Sequence, residues 1–76
     1  MSTKAIETVT GKVVRLVRLR NTHYGNPRFD IYLDNAEKYR LESNASLGYE
    51  IENREFRSES HTFALNGRGQ ISYVVR

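Results

Sequence analysis

The sequence predicts a small, mainly β domain of five strands curled toward a barrel, with one short helix between strands three and four. Three observations carry that expectation. Apolar and polar residues alternate at period two through most of the chain, turn-forming residues break the alternation at short intervals, and the alternation slips phase inside a long first strand.

The first strand reads from Thr8 to Arg20. Alternation places Val14 and Leu16 on one face and Val13 and Arg15 on the other. At Leu16-Val17 the phase slips, so that Val17 and Leu19 turn inward while Arg18 and Arg20 face out. One extra residue is what a β-bulge supplies, and bulges bend long strands. Asn21 to Pro27 is a loop by composition, with Gly25 free to take positive φ and Pro27 ending any ladder. In strand two, Phe29, Ile31 and Leu33 face in, and Arg28, Asp30 and Tyr32 face out. After the turn Asp34-Asn35-Ala36-Glu37, strand three places Tyr39 and Leu41 inward and Lys38, Arg40 and Glu42 outward.

Ser43 or Asn44 fits a helix N-cap. Ala45 to Phe56 then spaces Leu47, Ile51 and Phe56 on one side and Glu50, Glu52 and Glu55 on the other. Gly48 weakens such a helix by about 1 kcal/mol relative to Ala, so two or three turns are expected. A hairpin closes the chain: His61 to Leu65, the turn Asn66-Gly67-Arg68-Gly69, and Gln70 to Val75, with Phe63 and Leu65 facing Ile71 and Tyr73 in the core. Tyr39 and Tyr49 are assigned to the core as well. The order β-β-β-α-β-β matches an OB-like five-stranded Greek-key barrel. An SH3-like barrel is the nearest rival, and an open sheet crossed by a helix follows.

The 76 residues make one domain, with residues 1–7 read as a flexible N-terminal lead. A chain of this size buries only about 60% of its unfolded surface. With no cysteine, neither disulfides nor thiolate metal sites add stability. Homo-oligomerisation is therefore open on size alone. The opening MSTKAIETVTGK lacks the apolar stretch of a signal peptide, and no segment is apolar over the length of a membrane span, so a cytoplasmic protein is expected.

Net charge is +3, unevenly spread. Residues 1–28 hold six basic groups and one acid, residues 29–56 three basic and seven acidic, and residues 57–76 three basic and one acidic. A two-sided molecule of this kind suits electrostatic steering or self-pairing.

Catalysis requires convergent His, Cys or carboxylate groups. His23 and His61 have no metal-ligand spacing, no serine lies in a nucleophile-elbow pattern, and the Gly-containing turns are too short to cradle phosphate. No enzyme activity, cofactor or metal is expected. Binding is better served. Arg15, Arg18, Arg20, Arg28, Lys38 and Arg40 form an outward basic row of the kind that displaces counterions from phosphates. Tyr32 on strand two and Tyr24 on the first loop offer rings on which bases stack. In OB-folds the outer face of strands two and three and the first and last hairpin loops bind oligonucleotides. The expected nucleic-acid-binding set is Arg18, Arg20, Tyr24, Arg28, Tyr32, Arg40 and Arg68.

A plainer reading competes at each position. Outward charges solvate a sheet, and Asp30 and Glu42 pair across strands with Arg28, Arg40 or Arg15. Tyr32 packs under the N-terminal segment, and Tyr24 closes its own loop. The same surface also suits a protein interface, with Val13 and Tyr32 outward beside arginines. The acidic helix of one copy then meets the basic strand of another.

VTGKVVRLVRLRNTHYGNPRFDIYLDN, LESNASLGYEIEN and ALNGRGQISYVV together resemble short, mostly uncharacterised proteins of actinobacteriophages and related prophages, from about Val9 to Val75. The resemblance implies a phage accessory protein inside a bacterial host cell and brings no catalytic residues. It adds a third partner class, a host protein that the chain binds and redirects.

Overall fold

A computed structural model describes residues 7–76. Five antiparallel strands form one sheet: β1 (Thr8–Arg18), β2 (Phe29–Leu33), β3 (Lys38–Arg40), β4 (Ser60–Leu65) and β5 (Ile71–Val75), in the spatial order β3-β2-β1-β4-β5. The expected mainly β class holds. Between β3 and β5 there is only an isolated parallel bridge, Leu41 to Ile71, where Glu42 N donates to Ile71 O at 2.8 Å.

β1 is long enough to serve two neighbours. Thr8 to Lys12 pair with β4, and Val13 to Arg18 pair with β2. The bulge lies between these halves, where Val13 faces Leu33 and Arg15 faces Tyr32, leaving Val14 as the extra residue. The phase slip therefore comes at Val14 and not at Leu16-Val17. Val13 is buried and Val14 is 60% exposed, the reverse of both expectations. Arg18 changes face with the register: it pairs with Phe29 on the core side, and its guanidinium lies 5.3 Å from the Phe29 ring centroid. Gly11, beside the branch point, leaves room for Asp34; a Cβ there would meet Asp34 Oδ1 at 2.9 Å. Asp34 uses that space to accept from Lys12 N and to donate its own N–H to Lys12 O.

β2 keeps its alternation, and Phe29, Ile31 and Leu33 are almost wholly buried. With Leu41, Ile51, Phe63 and Ile71 they form the centre of the core. A second bulge, between Ala64 and Leu65 of the β4–β5 ladder, pairs Leu65 with Ile71 but Ala64 with Tyr73. Ser72 is the extra residue, so Ile71 and Tyr73 fall on opposite faces. Tyr73 is accordingly exposed, and Val74 takes its place against the core.

The expected helix over 45–56 is two short pieces: a 3-10 turn at Ser46–Tyr49 and a single α-turn, α1, at Arg54–Arg57. The residue before the 3-10 turn is Ala45, without a side-chain cap, while Asn53 caps α1 by accepting from Glu55 N. Gly48 lets the 3-10 turn sit close against the β1–β2 loop. A Cβ on Gly48 would stand 2.4 Å from Pro27 O, so this segment packs directly on loop backbone. Leu47, Ile51 and Phe56 reach the core as expected, but Tyr49 is thrown outward and is 66% exposed. His61 Nε2 lies 2.7 Å from Phe56 O, and the imidazole stacks on the Phe56 ring. A carbonyl only accepts, so Nε2 carries the proton.

The flexible lead read at residues 1–7 falls, for 1–6, outside the described residues. Glu7 continues the β1–β4 ladder by accepting from Leu65 N. No described helix is long and apolar enough to cross a membrane.

Candidate functional site

The registers of β1, β2 and β3 set two cross-strand rows on the outer face of the sheet. Arg15, Tyr32 and Lys38 form one row; Val17, Asp30 and Arg40 form the next. Tyr32 is half-buried, with the Arg15 guanidinium 5.2 Å from its ring centroid. A cation over a ring at that distance is attracted by the ring's negative face. Arg40 Nε donates to Asp30 Oδ1 at 3.0 Å. Hydrogen bonding first, and charge second, hold the Arg40 guanidinium above its already high ordinary range, so it remains cationic. Its charge is nonetheless balanced locally by Asp30, as the plainer reading expects.

At one end of these rows the loops converge on a polar cleft of about 390 Å³, lined by Tyr24, Glu42, Ser43, Asn44, Asn66, Gly67, Arg68 and Gln70. Three separate segments build it, and each is fixed by its own hydrogen bonds. In the β1–β2 loop, Thr22 Oγ1 accepts from Tyr24 N and Asn26 N, while Tyr49 reaches across to donate to Gly25 O or Asn26 Oδ1. Thr22 and Tyr49 thus close the loop, and Tyr24 is left 61% exposed against His23. Asn26 Nδ2 ties this loop to Ser43 O. In the β4–β5 turn, Asn66 Oδ1 accepts from Arg68 N and Gln70 N, and Asn66 Nδ2 donates to Glu42 Oε2 and Gln70 Oε1. Ser72 Oγ donates to Glu42 Oε1, so both carboxylate oxygens are oriented.

Of the seven residues expected to form a binding face, Tyr24 and Arg68 meet at the cleft, and Tyr32 and Arg40 stand on neighbouring rows. Arg28 is half-buried, and its Nε donates to Leu41 O at 3.1 Å, which bridges β2 to the end of β3. Arg18 hydrogen-bonds Asn21 on the core side and does not join the outer face. Arg20 is exposed beyond the end of β1. Arg15 and Lys38, read as outward cations but not selected, are the two that flank Tyr32. The signal for them is the hairpin register, since the tight turn after Leu33 sets Lys38 opposite Tyr32. Asn44 and Gln70 carry no signal in the sequence beyond turn composition.

No group of three or more His, Cys, Asp or Glu suited to a metal ion occurs among the described residues. No family model, curated protein or solved structure matches the chain.

Proposed function

We propose that this chain is a non-enzymatic, OB-like binding module that engages single-stranded nucleic acid along the outer face of β1, β2 and β3 and in the adjoining loop cleft. The OB-like reading is supported by the strand order, by the parallel bridge from Leu41 to Ile71, and by helical segments lying between β3 and β4 in the chain. In that architecture the β1–β2 and β4–β5 loops flank the ligand surface. The observation that carries the functional reading is the meeting of Tyr24 and Arg68, from those two loops, at one cleft. A ring for stacking and a cation for phosphate or base then sit at the end of a face bearing Arg15, Tyr32 and Lys38. Fluorescence anisotropy with short labelled DNA and RNA strands tests it. Binding at ~50 mM salt is expected, with log affinity falling against log salt at a slope of about −2, as three phosphate contacts to a single strand give. No binding to any strand at that salt rejects the reading.

A second reading is favoured by a different surface. The outer face of β4, β5 and the first half of β1 carries Thr8, Thr10, Thr62, Tyr73 and Val75 around a buried Ala64, with Tyr73 and Val75 about half exposed and Lys12 the charged residue at its edge. Aromatic, weakly charged patches of this kind suit a protein partner, either a second copy or the host factor that the phage resemblance implies. Light scattering that returns a dimer supports it; a strict monomer with no captured partner counts against it.

A further inference from the structure

We propose that the loop cleft selects a guanine base within a bound strand; this rests on the nucleic-acid reading above. At about 390 Å³ the cleft lies near the lower end of small-ligand sites, which run from about 300 to 1,000 Å³. It suits one nucleotide better than a run of them. Its polar lining is of two opposite kinds. Arg68 presents only donors, and its guanidinium is exposed on the β4–β5 turn. Glu42 presents a half-buried carboxylate that only accepts, oriented by Asn66 and Ser72 and with lone pairs left over on both oxygens. A carboxylate on the wall disfavours a phosphate in the cleft itself and favours a base that brings hydrogen-bond donors.

Guanine is the base that meets both groups on separate edges. O6 and N7 are adjacent acceptors that suit a guanidinium fork, whereas adenine pairs its N7 acceptor with an N6 donor on that edge. N1–H and the N2 amine of guanine are adjacent donors that suit a carboxylate. Tyr24 supplies the stacking ring: Thr22 and Tyr49 fix the loop backbone, which leaves the ring exposed beside His23 and not spent on closing the loop. The Gln70 amide, whose Oε1 already accepts from Asn66, is fixed with its NH₂ group available to the base or sugar.

The experiment uses thymine-rich strands with one central guanine, adenine, hypoxanthine or 7-deazaguanine, titrated into the full chain and into Arg68→Ala and Glu42→Gln variants. The guanine strand should bind about tenfold tighter than the adenine strand, the discrimination typical of one good bidentate contact. Removing N7 with 7-deazaguanine should weaken binding to the unmodified chain and not to Arg68→Ala. Removing the N2 amine with hypoxanthine should weaken binding to the unmodified chain and not to Glu42→Gln. Arg68 is on an exposed turn, so its variant tests the idea even where Glu42→Gln loses the Asn66 and Ser72 contacts and unfolds. Strand binding without guanine preference overturns this inference and leaves the general reading standing. Absence of binding to every strand overturns both.

Discussion

Replacing Gly48 with Ala reverses the sign that helix propensity assigns to it. On propensity the substitution stabilises, by up to about 1 kcal/mol. In the fold, the added Cβ would stand 2.4 Å from Pro27 O, 3.1 Å from the Pro27 carbonyl carbon and 3.2 Å from Leu41 Cδ2. Carbon–oxygen contacts settle at about 3.3–3.6 Å, so the loop or the 3-10 turn must move by roughly an ångström. The obstacle is backbone, which does not rotate away. Overpacking of this kind costs about 1–3 kcal/mol, and the segment is too short and too irregular to recover the helical gain. A net loss of about 1–3 kcal/mol lowers Tm by roughly 4–24 °C in a domain of this size. Thermal unfolding followed by circular dichroism measures it. The same variant should weaken oligonucleotide binding, because Pro27 ends the loop that presents Tyr24. An unchanged or raised Tm refutes the packing of Gly48 on Pro27.

Other substitutions probe separate parts of the structure. Ala36 sits at φ 69° in the β2–β3 turn, a left-handed conformation that Gly adopts freely. Ala36→Gly should therefore raise stability by about 0.5–1 kcal/mol in urea titration, after the greater unfolded-state entropy of Gly is set against the relief. Arg40→Ala should cost about 1–3 kcal/mol, since Arg40 is half exposed but Asp30 is buried, and the change leaves that carboxylate without its charged partner. It should also reduce the salt dependence of strand binding less than Arg15→Ala or Lys38→Ala, which remove cations not offset by Asp30. A Tyr24→Ala, Arg68→Ala double variant should unfold within about 0.5 kcal/mol of the parent, as exposed substitutions do, yet lose most oligonucleotide affinity.

How far the sequence could be read depended on whether one residue had one sensible place. In β2, Phe29, Ile31 and Leu33 alternate with polar neighbours, and only one register buries all three. In β1, the pair Val13-Val14 is apolar on both sides of the bulge, so either residue fits the core by pattern. The slip was visible as a slip but not at its position, and Arg18 changed face with it. The same ambiguity hid Tyr73, because the extra residue at Ser72 leaves no mark in composition. The seating of the 3-10 turn depends on Pro27, a residue distant in sequence whose approach to Gly48 no local propensity records. For the site, charge and aromatic content were legible at Arg68, Tyr24 and Tyr32. Which charges remain available was not, because the Arg40–Asp30 bond and the Arg28 bond to Leu41 O depend on cross-strand register.

The central claim, that the β1–β2–β3 face and the loop cleft bind a nucleic-acid strand, is tested most directly by mapping amide chemical shifts on titration with a short oligonucleotide. Shifts concentrated at Arg15, Tyr32, Lys38, Tyr24 and Arg68, with Tyr73 and Val75 unmoved, are the predicted result. Shifts confined to the β4–β5 face, or none at all at millimolar strand, contradict it.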